Sequence, residues 1–266
     1  MLIRRIQMKE SKALSGLTAL LTALLVVSGS VAVPLLFRPF YYAHIDLFDL
    51  TRYGATAEQI RLAYDQMMDF CLGLRPDFAV GGLVFSQEGM EHFVDVRKLF
   101  LLDLGVLAVS VAALAALLIF CKVKQVRPAL LKGHTAGFWG AVGLGVVFAV
   151  IAALAATDFN RAFVVFHSVF FPGKTNWIFD WRTDPIILLL PEQFFMNCAI
   201  LILALVLMWC AALIVADVLA GKKRKALEEK RRKIAEIQAA FGQFESPCSG
   251  CAGFKPDGKG GCAGCQ

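Results

Sequence analysis

Four uninterrupted apolar segments, at 13–37, 99–120, 135–157 and 193–216, decide what this chain can fold into. Each runs past the roughly 20 residues needed to cross about 30 Å of hydrocarbon. Within them only Asp103 is charged. Inside a bilayer every backbone donor must be satisfied within its own segment, so each segment reads as a helix. The expected fold is therefore an all-α membrane protein with four transmembrane helices. Composition agrees: 58% of the 266 residues are hydrophobic, 18% are charged and mean hydropathy is +0.65, outside the range of ordinary soluble domains. Ser30-Val31-Ala32 resembles a signal-peptide cleavage site. The apolar run before it exceeds the roughly 7–15 residues of a signal h-region, so an uncleaved helix is expected.

Lysines and arginines set the expected orientation. The N-terminal stretch 1–12 holds Arg4, Arg5, Lys9 and Lys12, and the loop 121–134 holds Lys122, Lys124, Arg127 and Lys132 with no acid. Ten more basic residues follow Asp217. Segments 38–98 and 158–192 carry more acids than bases. Both termini and the 121–134 loop are thus expected in the cytoplasm, and the two long segments outside.

The outer segment 38–98 opens on RPFYYAHIDLFDL, an aromatic and acidic strip expected to lie along the surface. Thr56 and Gln59 have the spacing of a capping box. Ile60, Ala63, Tyr64, Met67, Phe70, Cys71 and Leu74 then keep helical spacing, which predicts an amphipathic, membrane-associated helix over 57–72. Asp65 and Asp69 on its polar face favour packing over lipid binding. Further on, Glu88, Glu91, His92 and Asp95 fall on one helical face just above the second span. Carboxylates at such spacing would raise a histidine's pKa and orient its ring. The plainer reading is a solvated helix end with ion pairs to Arg97 and Lys98. Asp103, one to two turns deeper, is either a rim residue or a partner for the site.

The loop 158–192 is the richest in unusual residues. Eight aromatics lie between Phe159 and Trp181, with His167, a Pro-Gly at 172–173, and the acids Asp180, Asp184 and Glu192. Aromatics at this density beside a span mark the lipid–water interface, which holds His167 at the depth of lipid esters. The third span is rich in small residues, among them Gly137, Gly140, Ala141 and Gly145, a pattern for close helix packing. His134 sits at the edge of the cytoplasmic loop and reads as a boundary residue. After the fourth span, 217–245 reads as a basic juxtamembrane helix suited to anionic lipid, with a short coiled coil as the alternative. Four cysteines lie in or beside apolar segments, so a secreted disulfide framework is not indicated. The tail 246–266 pairs Cys248 with Cys251 and Cys262 with Cys265, spacings that suit zinc or an iron–sulfur centre.

Neither a serine elbow nor an H-E-x-x-H motif is present. What remains is two outward histidines, their acids and an aromatic floor. Two histidines suffice for acyl transfer, one taking a proton from the attacking group and the other giving one to the leaving oxygen. The tetrahedral oxyanion needs a donor, for which Asn176, the Trp177 indole, Lys174 and Arg182 are candidates. Two readings of other classes use the same residues. One is a metal-dependent membrane hydrolase with Glu88, His92 and His167 as ligands. The other is a non-catalytic membrane protein whose outer loops bind a lipid or a protein.

Two blocks carry a family resemblance. GMEHFVDVRKLF and FVVFHSVFFPGKTNWIFDWRTDPIILLLPEQFF resemble the paired histidine blocks of a bacterial four-span membrane family, the DUF1461 type, over roughly residues 10–220. The cysteine tail is not part of that pattern. The resemblance implies an O-to-N acyl shift in the bacterial plasma membrane. The implied substrate is a lipoprotein with a diacylglyceryl group on its N-terminal cysteine. Its sn-2 chain would move to the cysteine's α-amine and leave the lyso form. His92 and His167 would be the acid–base pair. Glu88, Glu91, Asp95, Asp103, Asn176, Trp177, Asp180, Arg182 and Asp184 would support it. Membrane phospholipid is an expected partner and nucleic acid is not. No cofactor is expected at the acyl-transfer site.

Overall fold

The computed structural model describes residues 9–244 of the chain. These fall into one unit up to Val218 and a second from Leu219 onward. In chain order the elements are β1 (Lys9–Ser11), α1 (Lys12–Leu36), α2 (Pro39–Leu47), a 3₁₀ turn (Leu50–Tyr53), α3 (Ala57–Cys71), α4 (Gln87–Lys124), β2 (Val126–Pro128), α5 (Ala136–Thr157), α6 (Phe159–Phe170), α7 (Ile186–Leu189) and α8 (Glu192–Phe244). The protein is an integral membrane protein built on α1, α4, α5 and α8, each long and apolar enough to span.

The spans pack through small and self-satisfied residues. Thr18, Thr22, Ser28 and Ser30 on α1 each donate to the carbonyl one turn back, which removes their hydroxyls from competition in the apolar interior. Gly140 of α5 lies so near α1 that an added Cβ would stand 3.4 Å from the Ala19 carbonyl oxygen. This is the close backbone approach that small residues allow. At one end of the bundle β1 and β2 pair in parallel, and Arg127 bonds Glu10 at 2.6 Å. Residues 9–11 and the 121–134 loop therefore share one face of the bundle.

Helix α4 positions the site. Its 38 residues extend about 57 Å, nearly twice what a span needs, so roughly its first dozen residues stand above the bundle. Ser86 caps its start by accepting from the Gly89 N–H at 2.9 Å. Around this overhang sits a helical cap. The capping box of Thr56 and Gln59 opens α3, and Ile60, Ala63, Tyr64, Met67, Phe70 and Cys71 are buried. Leu74 lies past the end of α3 and is exposed. Arg38 neutralises the other face by pairing with Asp65 at 3.1 Å and with Asp69. The aromatic strip beginning at Arg38 has two sides: Tyr41, Ile45 and Leu50 are among the most buried residues of the cap, whereas Pro39, Ala43, Asp46 and Leu47 are exposed. The Tyr41 hydroxyl donates to the Leu189 carbonyl at 2.8 Å, and its ring stacks on Tyr64 at 3.7 Å. These residues pack inward because α7 and the start of α8 return over them and supply apolar partners such as Ile186 and Phe194.

In the second unit the helix continues as an exposed basic stretch. Lys233 pairs with Glu229 at 2.9 Å and Arg232 with Glu236 at 3.3 Å. The cysteine tail, with Cys248, Cys251, Cys262 and Cys265, lies outside the described residues, as do Arg4 and Arg5.

Candidate functional site: two histidines on an aromatic floor

His92 and His167 come from different elements and meet. His92 projects from the overhang of α4 and His167 from α6, with ring centroids 6.0 Å apart. Both are buried, at 6% and 8% exposure. Phe171 packs against both rings, 4.9 Å from His92 and 5.7 Å from His167. Phe179 closes the other side of His92 at 5.5 Å, and Trp177 stacks on His167 at 4.5 Å.

Local sequence fixes the His167 ring. Asp158 caps α6 by accepting from the Arg161 N–H at 2.9 Å. One turn on, Phe163 lies four residues before His167, so its carbonyl and ring both face the imidazole. The His167 Nδ1 lies 2.8 Å from the Phe163 carbonyl oxygen, which can only accept, so Nδ1 carries the proton. Its Nε2 makes no hydrogen bond among the described residues and presents a lone pair. His92 is left less satisfied still: its Nδ1 is buried with no partner among the described residues. A buried polar atom without a partner is costly and calls for an explanation in the site's chemistry.

Burial controls the electrostatics. It pushes the His92 imidazole down to about 4, with His167 and Lys174 acting the same way and Asp95 opposing. Burial also lowers His167, partly offset by the bond to Phe163. Both rings are therefore neutral at pH 7. The expected net raising of His92 by surrounding acids is reversed: Asp95 does raise it, but burial outweighs that, and the helical face splits. Asp95 is buried, whereas Glu88 and Glu91 are exposed and Glu91 accepts from the Gln87 amide at 3.0 Å. Asp95 is also committed elsewhere. It pairs with Lys98 at 3.0 Å and with Lys174. Burial would raise its carboxyl, but the two ammonium groups outweigh this and hold it below the usual range.

Lys174 joins the two halves of the site. Its side chain reaches Asp95 one turn from His92, and its carbonyl accepts from the Trp177 indole at 3.1 Å, under the ring that stacks on His167. The Trp177 N–H is thereby already committed. The Asn176 Oδ1 is buried without a partner among the described residues. Asp180 and Arg182 form an exposed turn, paired at 3.7 Å, with the guanidinium over Trp181. Asp184 is a loop staple: it is buried, accepts from the Ser86 N–H at 2.8 Å and from Thr183 at 2.7 Å, and fills the space beside Gly89. Asp103 lies deeper on α4 with Oδ2 unpartnered among the described residues. Glu88 does not join the two histidines: among the described residues no three His, Cys, Asp or Glu side chains converge as a metal would need.

Two further histidines have structural partners. His44, which periodicity did not single out, is buried in the cap with Nδ1 2.6 Å from the Phe40 carbonyl and Nε2 2.9 Å from the Asn197 amide. His134 is more than a boundary residue: its Nδ1 meets the buried Asp217 carboxylate at 2.6 Å and its ring stacks on Phe138.

Fold and site together define a four-span integral membrane protein with a paired-histidine site at the edge of its bundle. The sequence profile described as lipoprotein intramolecular transacylase Lit matches residues 16–195, and the chain belongs to that family. The solved structure of the membrane integral lipoprotein intramolecular transacylase Lit from Bacillus cereus superposes with a TM-score of 0.67 at 23% identity, over 83% of this chain and 97% of that one. A form of the same protein with one histidine replaced by arginine gives 0.63, also at 23% identity, over 80% and 93%. The matching alanine form gives 0.63 at 23% identity, over 80% and 94%. At this identity the structural likeness is one of fold. No curated protein matches the sequence significantly.

Proposed function

We propose that this chain acts as its family does, as an intramolecular lipoprotein transacylase, with His92 and His167 as the acid–base pair. The observation that carries the residue assignment is two buried imidazoles 6.0 Å apart in a chain whose match to the family covers both. The substrate is a diacylglyceryl lipoprotein in the membrane. Its sn-2 acyl chain passes to the α-amine of the N-terminal cysteine, and the product is the lyso form. Amine and ester already share one molecule, which removes much of the entropic barrier.

His167 is the base, because its Nδ1 is tied to Phe163 and its Nε2 lone pair is open. It takes a proton from the amine as nitrogen attacks the ester carbonyl. The Nδ2 amide of Asn176, whose Oδ1 is held buried beside it, is the candidate donor to the oxyanion. As the C–O bond breaks, the glycerol oxygen takes a proton from His92, whose other nitrogen receives the one held by His167. The N–C bond has then formed, both rings are neutral again, and no co-reactant is consumed. Membrane phospholipid surrounds the site. The histidines face outward and both termini lie in the cytoplasm, a placement that rests on the distribution of Lys and Arg. The paired cysteines of the tail suit a zinc or iron–sulfur site, which metal analysis of the full chain would test.

The experiment is mass spectrometry of a reporter lipoprotein's N-terminal lipopeptide, from cells with the chain, without it, and with His167→Ala. Transacylase action predicts one acyl chain on the α-amine and one fewer on the glycerol, dependent on His167. A lipopeptide that keeps its diacylglyceryl group and a free amine would refute the reading.

A further inference from the structure

Helix α6 has three faces, and the histidine site uses one of them. At 100° per residue, Phe163 and His167 share the face turned to the cap, and Asn160, Arg161 and Ser168 form a polar strip. The third face holds Val165, Phe166, Val169 and Phe170, which are between 48% and 66% exposed. Four adjacent large apolar side chains left open on one helix mark a surface that something covers.

The ends of α6 say what covers it. Asp158 alone separates α6 from the span α5 and caps both. Asn160, in the first turn, donates to Glu192 at 3.2 Å, the first residue of the span helix α8. The start of α6 is thus fastened to the ends of two spans, at the edge of the hydrocarbon. On the span α5, which ends one residue before α6, Val150, Ile151 and Leu154 are also open. An amphipathic helix in that position lies in the interface, with its apolar face among acyl chains and its polar strip in water.

We propose that α6 is an in-plane helix whose Val165, Phe166, Val169 and Phe170 face is sunk in the lipid leaflet bordering the histidines, and that the lipid part of the substrate arrives along this face. The occupant is lipid acyl chain. The substrate's route rests on the transacylase reading, whereas the lipid contact does not. The route places an incoming ester beside His167, on the helix that carries it, without the acyl chains leaving the leaflet.

The test places a benzophenone amino acid at Val169, at Phe170 or at Ser168 in the full chain, held in nanodiscs of phosphatidylethanolamine and phosphatidylglycerol. After irradiation, intact mass should show a phospholipid adduct at 169 and 170 at several times the yield at 168. Equal yields, no adduct, or a cross-link to a second copy at 169 and 170 would overturn the lipid contact. Repeating the labelling in His167→Ala separates the two ideas, since the adduct should persist where transfer is lost. For the route, Val169→Glu should lower transfer about tenfold on lipoprotein in bilayers and less than about twofold in detergent. An equal loss in both would overturn the route, as would no loss in either.

Discussion

His44 and His167 sit in the same local frame and end in opposite conditions. Each follows a phenylalanine by four residues, places Nδ1 on that residue's carbonyl and packs on its ring, at 4.6 Å for Phe40 and 4.2 Å for Phe163. The difference is the other nitrogen. In the cap Asn197 takes the Nε2 of His44, so every polar atom of that ring is used. On α6 the Nε2 of His167 is left open among the described residues, and the ring lies 6.0 Å from that of His92, whose own Nδ1 is unpaired among them. A buried histidine with both nitrogens occupied holds a structure together. A buried pair with open nitrogens bears the cost of desolvation without the return of hydrogen bonds, as reactive sites do.

The sharpest way to break this contrast is to remove the open rings. His92→Ala and His167→Ala should each lower transfer by about 10²–10⁴-fold, the range for loss of a general acid or base. The thermal unfolding midpoint in detergent should fall less than for His44→Ala, because among the described residues neither ring makes a hydrogen bond across elements and the loss is of aromatic packing alone. Full transfer by either variant would end the two-histidine mechanism.

A smaller effect is expected at Lys174. Lys174→Met removes the ammonium that holds Asp95 and leaves that buried carboxylate with the exposed Lys98 as its remaining ion-pair partner. Transfer should fall about tenfold, and Lys174→Arg should restore most of it. The titratable groups facing His92 are His167, Asp95 and Lys174. Without the last, the His92 ring should titrate at higher pH.

The pH profile tests whether the site rings are neutral. The substrate amine, with a pKa near 8, gives log kcat/KM a slope of one as pH falls below about 8. An ordinary imidazole base would add a second unit of slope below about 6.5. With His92 at about 4 and His167 also lowered, the onset of the second unit of slope should shift below pH 6.5. Stability follows the same shift. The unfolded chain protonates these rings first, so folding loses stability as pH falls from about 6.5 toward about 4, at roughly 1.4 kcal/mol per pH unit for each ring that remains neutral in the fold. A slope of two from pH 6.5 downward would show that the rings titrate normally.

These contrasts also show where sequence reading stops. The spans and the start of α3 are local facts: twenty apolar residues, or Thr56 and Gln59 three apart, act within one segment. The histidine pair was visible because aromatic density flagged α6 and its loop, while helical spacing flagged α4. A wheel gives a face without saying which edge of it packs, so Glu88 and Glu91 looked equivalent to Asp95. Lys174 reaches Asp95 across 79 residues and His44 reaches Asn197 across 153. No periodicity encodes such meetings. The buried side of the strip at 38–50 was hidden for the same reason, since Ile186 and Phe194, which cover it, arrive more than a hundred residues later.

The smallest effect on chemistry should come from the occupied ring. His44→Ala deletes a side chain that bonds Phe40 and Asn197 and packs against Phe48 and Phe194. It strands the Asn197 amide in the cap and opens a void among aromatics. Loss of one such buried partner costs about 1–3 kcal/mol, so the unfolding midpoint should fall by several degrees. Transfer per folded molecule should stay within about twofold of the parent, because no atom of His44 is open to substrate. Asn197→Ala should reproduce the stability loss, and the double variant should cost less than the sum of the two, since the second change removes a group already stranded. If His44→Ala instead abolished transfer in protein that still folds, occupancy of the second nitrogen would no longer separate the structural histidine from the reactive ones.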